Sequence, residues 1–247
     1  MILKKYTFNS ERKGKNVLFL GAIHGNEQAG TKAIYMVLEK FASKALTPLN
    51  GSVSFIPVCN PQAFADNVCQ DDELIKHFSQ ADVILSFHTT SSVLDKPVAL
   101  VKNNNDLANK ILSALNVKYV ILDNSLQNHY KCLIDIKCGQ HDSDKSVENA
   151  YYTIMSTLLC LDMLQGYPAQ PIKQEYITLD SIVFKTKDGK LAKDFKNFTK
   201  VSSGEILAIY DDKTFEICPK DSYILLPRPD AKIKEEWFYL GSKTDNY

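Results

Sequence analysis

The sequence predicts an α/β domain built on a largely parallel or mixed sheet covered by helices, followed by a small, separate all-β domain. Three observations carry that expectation. Short apolar runs alternate with helix-period apolar spacing through the first two thirds of the chain, the pattern breaks at a polar stretch bearing two prolines, and the remainder is β-rich with frequent turn signals. At 247 residues, 45% of them hydrophobic, the chain is long enough to bury a full core without disulfides or metals as staples.

Val17 to Ala22 (VLFLGA) reads as a strand buried on both faces, and Ala33, Ile34, Val37, Leu38 and Phe41 recur at helical spacing behind the turn that follows it. Further strands are expected at Val53 to Val58, Val83 to Phe87, Val98 to Val101, Tyr119 to Leu122 and Leu133 to Cys138. Leu107, Ile111, Leu112 and Leu115 mark a second helix, and Val147, Tyr151, Ile154, Leu158 and Leu161 a third. Gln165 to Gln174, with Pro168 and Pro171, has the composition of a linker, which divides the chain into an α/β domain over 1–168 and a β-rich domain over 169–247. Strands are expected in the latter at Ile177 to Lys185, Glu205 to Tyr210, Thr214 to Cys218, Tyr223 to Leu226 and Trp237 to Leu240, separated by KDG, SSG and DDK turns.

The 29 basic and 29 acidic side chains cancel and are interspersed, with no lysine run, basic amphipathic helix or acidic tail. That balance argues against nucleic acid and lipid surfaces as partners. Six scattered cysteines form no CxxC pair and read as reduced thiols. Met1 to Lys15 lacks a signal-peptide core, and no apolar run is long enough to cross a bilayer, so a cytoplasmic protein is expected. Arg12 and Arg228 are the only arginines.

The segment Gly21-Ala22-Ile23-His24-Gly25-Asn26-Glu27-Gln28-Ala29-Gly30 lies where a buried strand gives way to a helix, the place where open α/β sheets build their sites. His24 and Glu27 form an HxxE pair that can converge on one ion from a tight turn, with Gly25 letting the backbone bend. A third ligand must come from another strand end, and His88 stands at one, followed by Thr89, Thr90 and Ser91. Two histidines and a carboxylate with an open fourth position are the ligand set of catalytic zinc hydrolases. HxxE alone is a weak motif, and a lone histidine at a strand end is more often a hydrogen-bonded structural residue.

Several segments together resemble the succinylglutamate desuccinylase/aspartoacylase family, relatives of the zinc carboxypeptidases. They are the GxxHGNExxG turn at Gly21 to Gly30, Asn60-Pro61-Gln62-Ala63 after a strand, His88-Thr89-Thr90-Ser91, Cys138-Gly139-Gln140-His141 before a helix, and a terminal β domain with Ser203-Gly204-Glu205 and Pro227. The resemblance covers nearly the whole chain and implies a zinc carboxypeptidase-like fold with one Zn2+ per chain on His24, Glu27 and His88. It also implies a zinc-dependent deacylase acting on an N-acyl amino acid or a similar small amide or ester. In the family a glutamate is general base and then acid, while arginines hold the carbonyl oxygen and a substrate carboxylate.

Three parts differ here. Lys137 stands at the position of the base, and an ammonium cannot take a proton. Asp135 projects from the same strand face and could pair with Lys137 or reach the metal water; because it sits one pleat, about 6–7 Å, from where the base belongs, a salt bridge or structural role is the expectation. The arginine expected after Asn60-Pro61 falls at Cys69, and the following Asn-Arg pair is missing from a shortened Gln70 to His77 segment. The family's Asp two residues before the third ligand is Ser86. Loss of base and arginines together supports an alternative, a catalytically impaired zinc-binding homologue acting as a binding or regulatory protein. His77 and His129 read as surface residues, and His141 as a pocket or capping residue. Trp237 and Phe238 read as core, and Tyr239 as core or as an aromatic lid residue.

Overall fold

A computed structural model describes residues 3–66, 80–94, 96–102, 104–123, 130–167, 170 and 172–244. The chain forms two compact units, Met1–Thr90 with Asp95–Gln174, and Ser91–Leu94 with Glu175–Tyr247. Among the described residues no helix is long and apolar enough to cross a membrane.

The first unit runs β1 (Tyr6–Asn9), β2 (Asn16–Leu20), α1 (Ala29–Ala42), β3 (Ser52–Ile56), α2 (Pro61–Asp66), β4 (Val83–Thr90), β5 (Val98–Val101), α3 (Asp106–Ala114), β6 (Tyr119–Leu122), β7 (Leu133–Gln140) and α4 (Asp144–Cys160). Its strands lie side by side in the order β1-β3-β2-β4-β7-β5-β6. The central strands β3, β2, β4 and β7 are parallel, β1 is antiparallel to β3, and β5 is antiparallel to β7 while pairing parallel with β6. This is the mixed sheet expected from the alternation of apolar runs and helices.

Every residue of β4 is buried, as the central strand of a covered sheet requires. α1 buries the stripe Ala33, Ile34, Val37, Leu38 and Phe41 that its periodicity marks out. Beneath it Phe19 stacks between Phe55 and Phe87, at centroid distances of 5.5 and 6.2 Å. Gly30 lets α1 approach this stack: a Cβ there would lie 2.3 Å from Phe87 Cβ. α3 begins where Asn105 accepts a hydrogen bond from the backbone N–H of Ala108 through its side chain, and ends before Leu115, which caps it in an extended conformation. The helix therefore stops one residue short of the apolar stripe that announced it.

The second unit contains β8 (Glu175–Phe184), β9 (Gly189–Leu191), β10 (Thr199–Val201), β11 (Ile206–Tyr210), β12 (Phe215–Ile217), β13 (Ser222–Leu225) and β14 (Glu236–Lys243). Its strands lie in the orders β8-β14-β13-β10 and β12-β11-β9, with antiparallel pairing throughout. Trp237, fully buried, centres a core with Phe238, Leu240, Ile224, Leu207 and Tyr210, so Trp237 and Phe238 are core residues as expected.

Candidate metal site

His24 and Glu27 stand in the turn between β2 and α1, closed by a hydrogen bond from the Glu27 N–H to the His24 carbonyl (3.1 Å). The Asn60-Pro61-Gln62-Ala63 segment braces this turn from below. Backbone N–H groups of Cys59 and Asn60 donate to the carbonyls of Gly21 and Ala22, while Asn60 caps α2 by accepting from the Ala63 N–H. Gly25 lies so close to this brace that a Cβ would come within 1.8 Å of the Ala63 carbonyl oxygen. Gly25→Ala is accordingly expected to push the turn off α2 and lower stability by about 1–3 kcal/mol, read as a reduced urea midpoint.

His88 comes from β4, whose neighbour β7 pairs Lys137 opposite His88 and Asp135 opposite Ser86. The pleat puts Ser86 and His88 on one side of β4, and Asp135 and Lys137 on the same side of β7. His24 Nδ1 lies 3.1 Å and His88 Nδ1 2.6 Å from the same oxygen, Glu27 Oε2. One donor atom from each of the three residues falls within 4.8 Å of the others, so the structure brings together the three residues that the sequence pointed to in a cluster that could hold a metal ion.

Electrostatics prepares these groups for a cation. Burial pushes the Glu27 carboxyl upward, but the Lys137 ammonium, the His88 charge and hydrogen bonds from both histidines outweigh it and hold Glu27 well below the usual carboxylate range. Burial, reinforced by Lys137 and opposed by Glu27, holds His88 below its ordinary value and so favours the neutral ring. An ionised carboxylate and a neutral imidazole are the forms a metal needs. Two imidazole nitrogens meet one carboxylate oxygen at distances where one cation could replace their ring protons, and the donor set fits a divalent metal of the zinc type. Cys138, next to Lys137, lies outside this cluster, and burial pushes its thiol far up.

Asp135 and Lys137 do not form the pair expected from their shared strand face. Lys137 Nζ lies 3.9 Å from Glu27 Oε1, whereas Asp135 accepts a 2.5 Å hydrogen bond from Ser86 Oγ and lies 3.9 Å from Lys102 Nζ. Each charge has a nearer counterpart across the sheet than along its own strand. Lys102 in turn contacts Asp123 Oδ2 at 2.5 Å. The parts missed from sequence are Ser86 as a bridge and Lys102 with Asp123 as its anchor; only strand register brings them together, and no local spacing signals it.

His141 shares a 2.6 Å hydrogen bond with Thr89 Oγ1 and donates its backbone N–H to the Thr90 carbonyl, tying the end of β7 to the end of β4. Tyr239 is buried in the second unit, where its hydroxyl donates to Glu236 (2.6 Å). Among the described residues, Cys59, Cys132, Cys138, Cys160 and Cys218 are buried. The expectations placed on Cys69, Gln70 to His77, His129, Pro168 and Pro171 lie outside the described residues.

No protein-family model and no curated protein matches the sequence. Solved structures do resemble the fold. The product-bound ectoine utilization protein EutE (DoeB) from Ruegeria pomeroyi is 17% identical, with 97% of this chain and 88% of that chain covered, at a TM-score of 0.73. A succinylglutamate desuccinylase/aspartoacylase from Rhodobacter sphaeroides is 13% identical over 99% of this chain and 89% of its own, at a TM-score of 0.74. A succinylglutamate desuccinylase from Vibrio parahaemolyticus is 15% identical over 96% and 84%, at 0.72. At these identities the likeness is one of fold, and over nearly its whole length the chain has the succinylglutamate desuccinylase/aspartoacylase fold.

Proposed function

We propose that this chain binds one zinc ion through His24, Glu27 and His88 and is a zinc-dependent hydrolase, a deacylase acting on an N-acyl amino acid or a similar small amide or ester. The observation that carries the reading is the convergence of one carboxylate and two imidazoles within 4.8 Å at the end of the central strands. When bound there, zinc supplies polarisation of a carbonyl and a water brought toward a neutral pKa. Glu27 contributes a carboxylate kept ionised by Lys137, and His88 a ring whose neutral form burial favours. Lys137, as an ammonium, cannot accept a proton; beside Glu27 it offers a fixed positive charge for a substrate carboxylate or a developing oxyanion. The buried, reduced thiols fit a cytoplasmic protein with a small-molecule substrate.

A second reading, a zinc-binding homologue with impaired catalysis, is favoured by one observation. Asp135, the carboxylate nearest the missing base, is held by Ser86 and Lys102. Metal analysis of the purified chain, followed by a panel of N-acetyl and N-succinyl amino acids and simple esters with and without chelator, separates the two. Zinc with chelator-sensitive turnover is expected from the first reading, zinc without turnover from the second, and a chain without zinc affinity overturns both.

A further inference from the structure

We propose that Asp135 is a positioning residue for the metal site, acting on the His88 ring through Ser86; the inference rests on the reading of His88 as a ligand. Ser86 pairs with Asp135 across the β4–β7 register and is completely buried. Its Oγ lies 2.5 Å from Asp135 Oδ1 and 3.1 Å from His88 Nε2. A hydroxyl has one proton to give, and an ionised carboxylate can only accept, so Ser86 donates to Asp135. The remaining contact is then a hydrogen bond from His88 Nε2–H to Ser86 Oγ. That bond forms when a cation takes the place of the proton between Nδ1 and Glu27, 2.6 Å apart; it then holds the ring plane and directs the Nδ1 lone pair to where the ligand atoms converge.

The outer end of this chain is anchored too. Lys102 Nζ stands 3.9 Å from Asp135 Oδ2 and 2.5 Å from Asp123 Oδ2, and Asp123 is itself buried. The cation thus holds the Asp135 carboxylate between β5 and β7, aimed at Ser86 and away from the ligand cluster. Without that carboxylate, the Ser86 proton turns toward Nε2, and the metal-bound ring loses the acceptor that holds it in place. A carboxylate on one strand thereby orients a histidine on the next, with a serine as the connecting group.

The test is zinc affinity by chelator competition, together with NMR of the His88 Nε2–H in the zinc-loaded chain. Asp135→Ala and Ser86→Ala are each expected to weaken zinc about 10- to 100-fold, the usual cost of losing the group behind a ligating histidine. Asp135→Asn keeps an acceptor without the charge, preserves shape, and is expected to lose less. Ser86→Asp in the Asp135→Ala background places a carboxylate directly behind Nε2, in the space vacated by Asp135, and is expected to recover most of the affinity. A slowly exchanging His88 Nε2–H is expected in the zinc-loaded wild type and faster exchange in Asp135→Ala. A wild type that binds zinc with an affinity and Nε2–H exchange unchanged by Asp135→Ala overturns the relay alone, whereas a wild type that binds no zinc overturns the ligand reading and this inference with it.

Discussion

Glu27→Gln is expected to reduce bound zinc from one per chain to a trace and to destabilise the metal-free protein by about 3–5 kcal/mol, the cost of removing one partner from a buried charge pair. The side chain is nearly inaccessible to solvent, 5% exposed, yet it is the group on which His24, His88 and Lys137 converge. The amide keeps the shape but loses the charge, leaving the Lys137 ammonium without its nearest anion. Acid dependence checks the same point in the absence of metal. Because the Glu27 carboxyl is held below its ordinary value of 4.5, its contribution is fully present above that pH and is lost as the pH falls through the lowered folded value. Urea titrations of the metal-free chains should therefore show a wild-type advantage over Glu27→Gln that shrinks as the pH drops below 4.5. An advantage independent of pH would mean that Glu27 acts through packing rather than charge.

Lys137→Glu is expected to have the opposite sign with and without metal. In the metal-free chain it sets a second carboxylate beside Glu27, where the lysine now stands 3.9 Å away with only 15% of its side chain exposed. Like charges at that separation raise one pKa and cost stability, about 3 kcal/mol for a buried pair turned repulsive. Zinc offsets both charges, so the variant's melting temperature should rise far more on zinc addition than the wild type's. A thousandfold excess over the dissociation constant yields about 4 kcal/mol through linkage. Restoring a carboxylate at this position also restores a general base, and turnover of simple esters or N-acyl amino acids is expected to rise about 10²- to 10⁴-fold. A variant whose stability ignores zinc would show that position 137 does not face the metal.

The sequence made the central strands and the ligand cluster legible for different reasons. β2 and the first half of β4 are apolar runs, and α1 carries a clean 3.6-residue stripe, so period and length identify them. β1, β9 and β10 lack the continuous apolar run that marks the comparably short β5 and β6, and the six-residue α2 is too short for a helical period to emerge. Nor does an apolar run carry direction, so the reversal of β5 against β7 was hidden. At the site, His24 and Glu27 were found through spacing within one turn, and His88 through its place at a strand end. The partners of Asp135 and Lys137 were not, because along the chain each appears to be the other's nearest opposite charge. Lateral pairing decides otherwise, setting Ser86 opposite Asp135 and His88, with Glu27 behind it, opposite Lys137. The scarcity of arginine retains its force: with Arg228 bonded to Glu235 in the second unit and lysines at 102 and 137, the described positive side chains beside the site are lysines.

The most direct measurement is zinc K-edge X-ray absorption on the metal-loaded chain. The account expects one zinc with two imidazole nitrogens and a carboxylate oxygen at about 2.0–2.2 Å and no sulfur scatterer. A sulfur shell at about 2.3 Å, or a spectrum unchanged between wild type and His88→Ala, would place the metal elsewhere and contradict it.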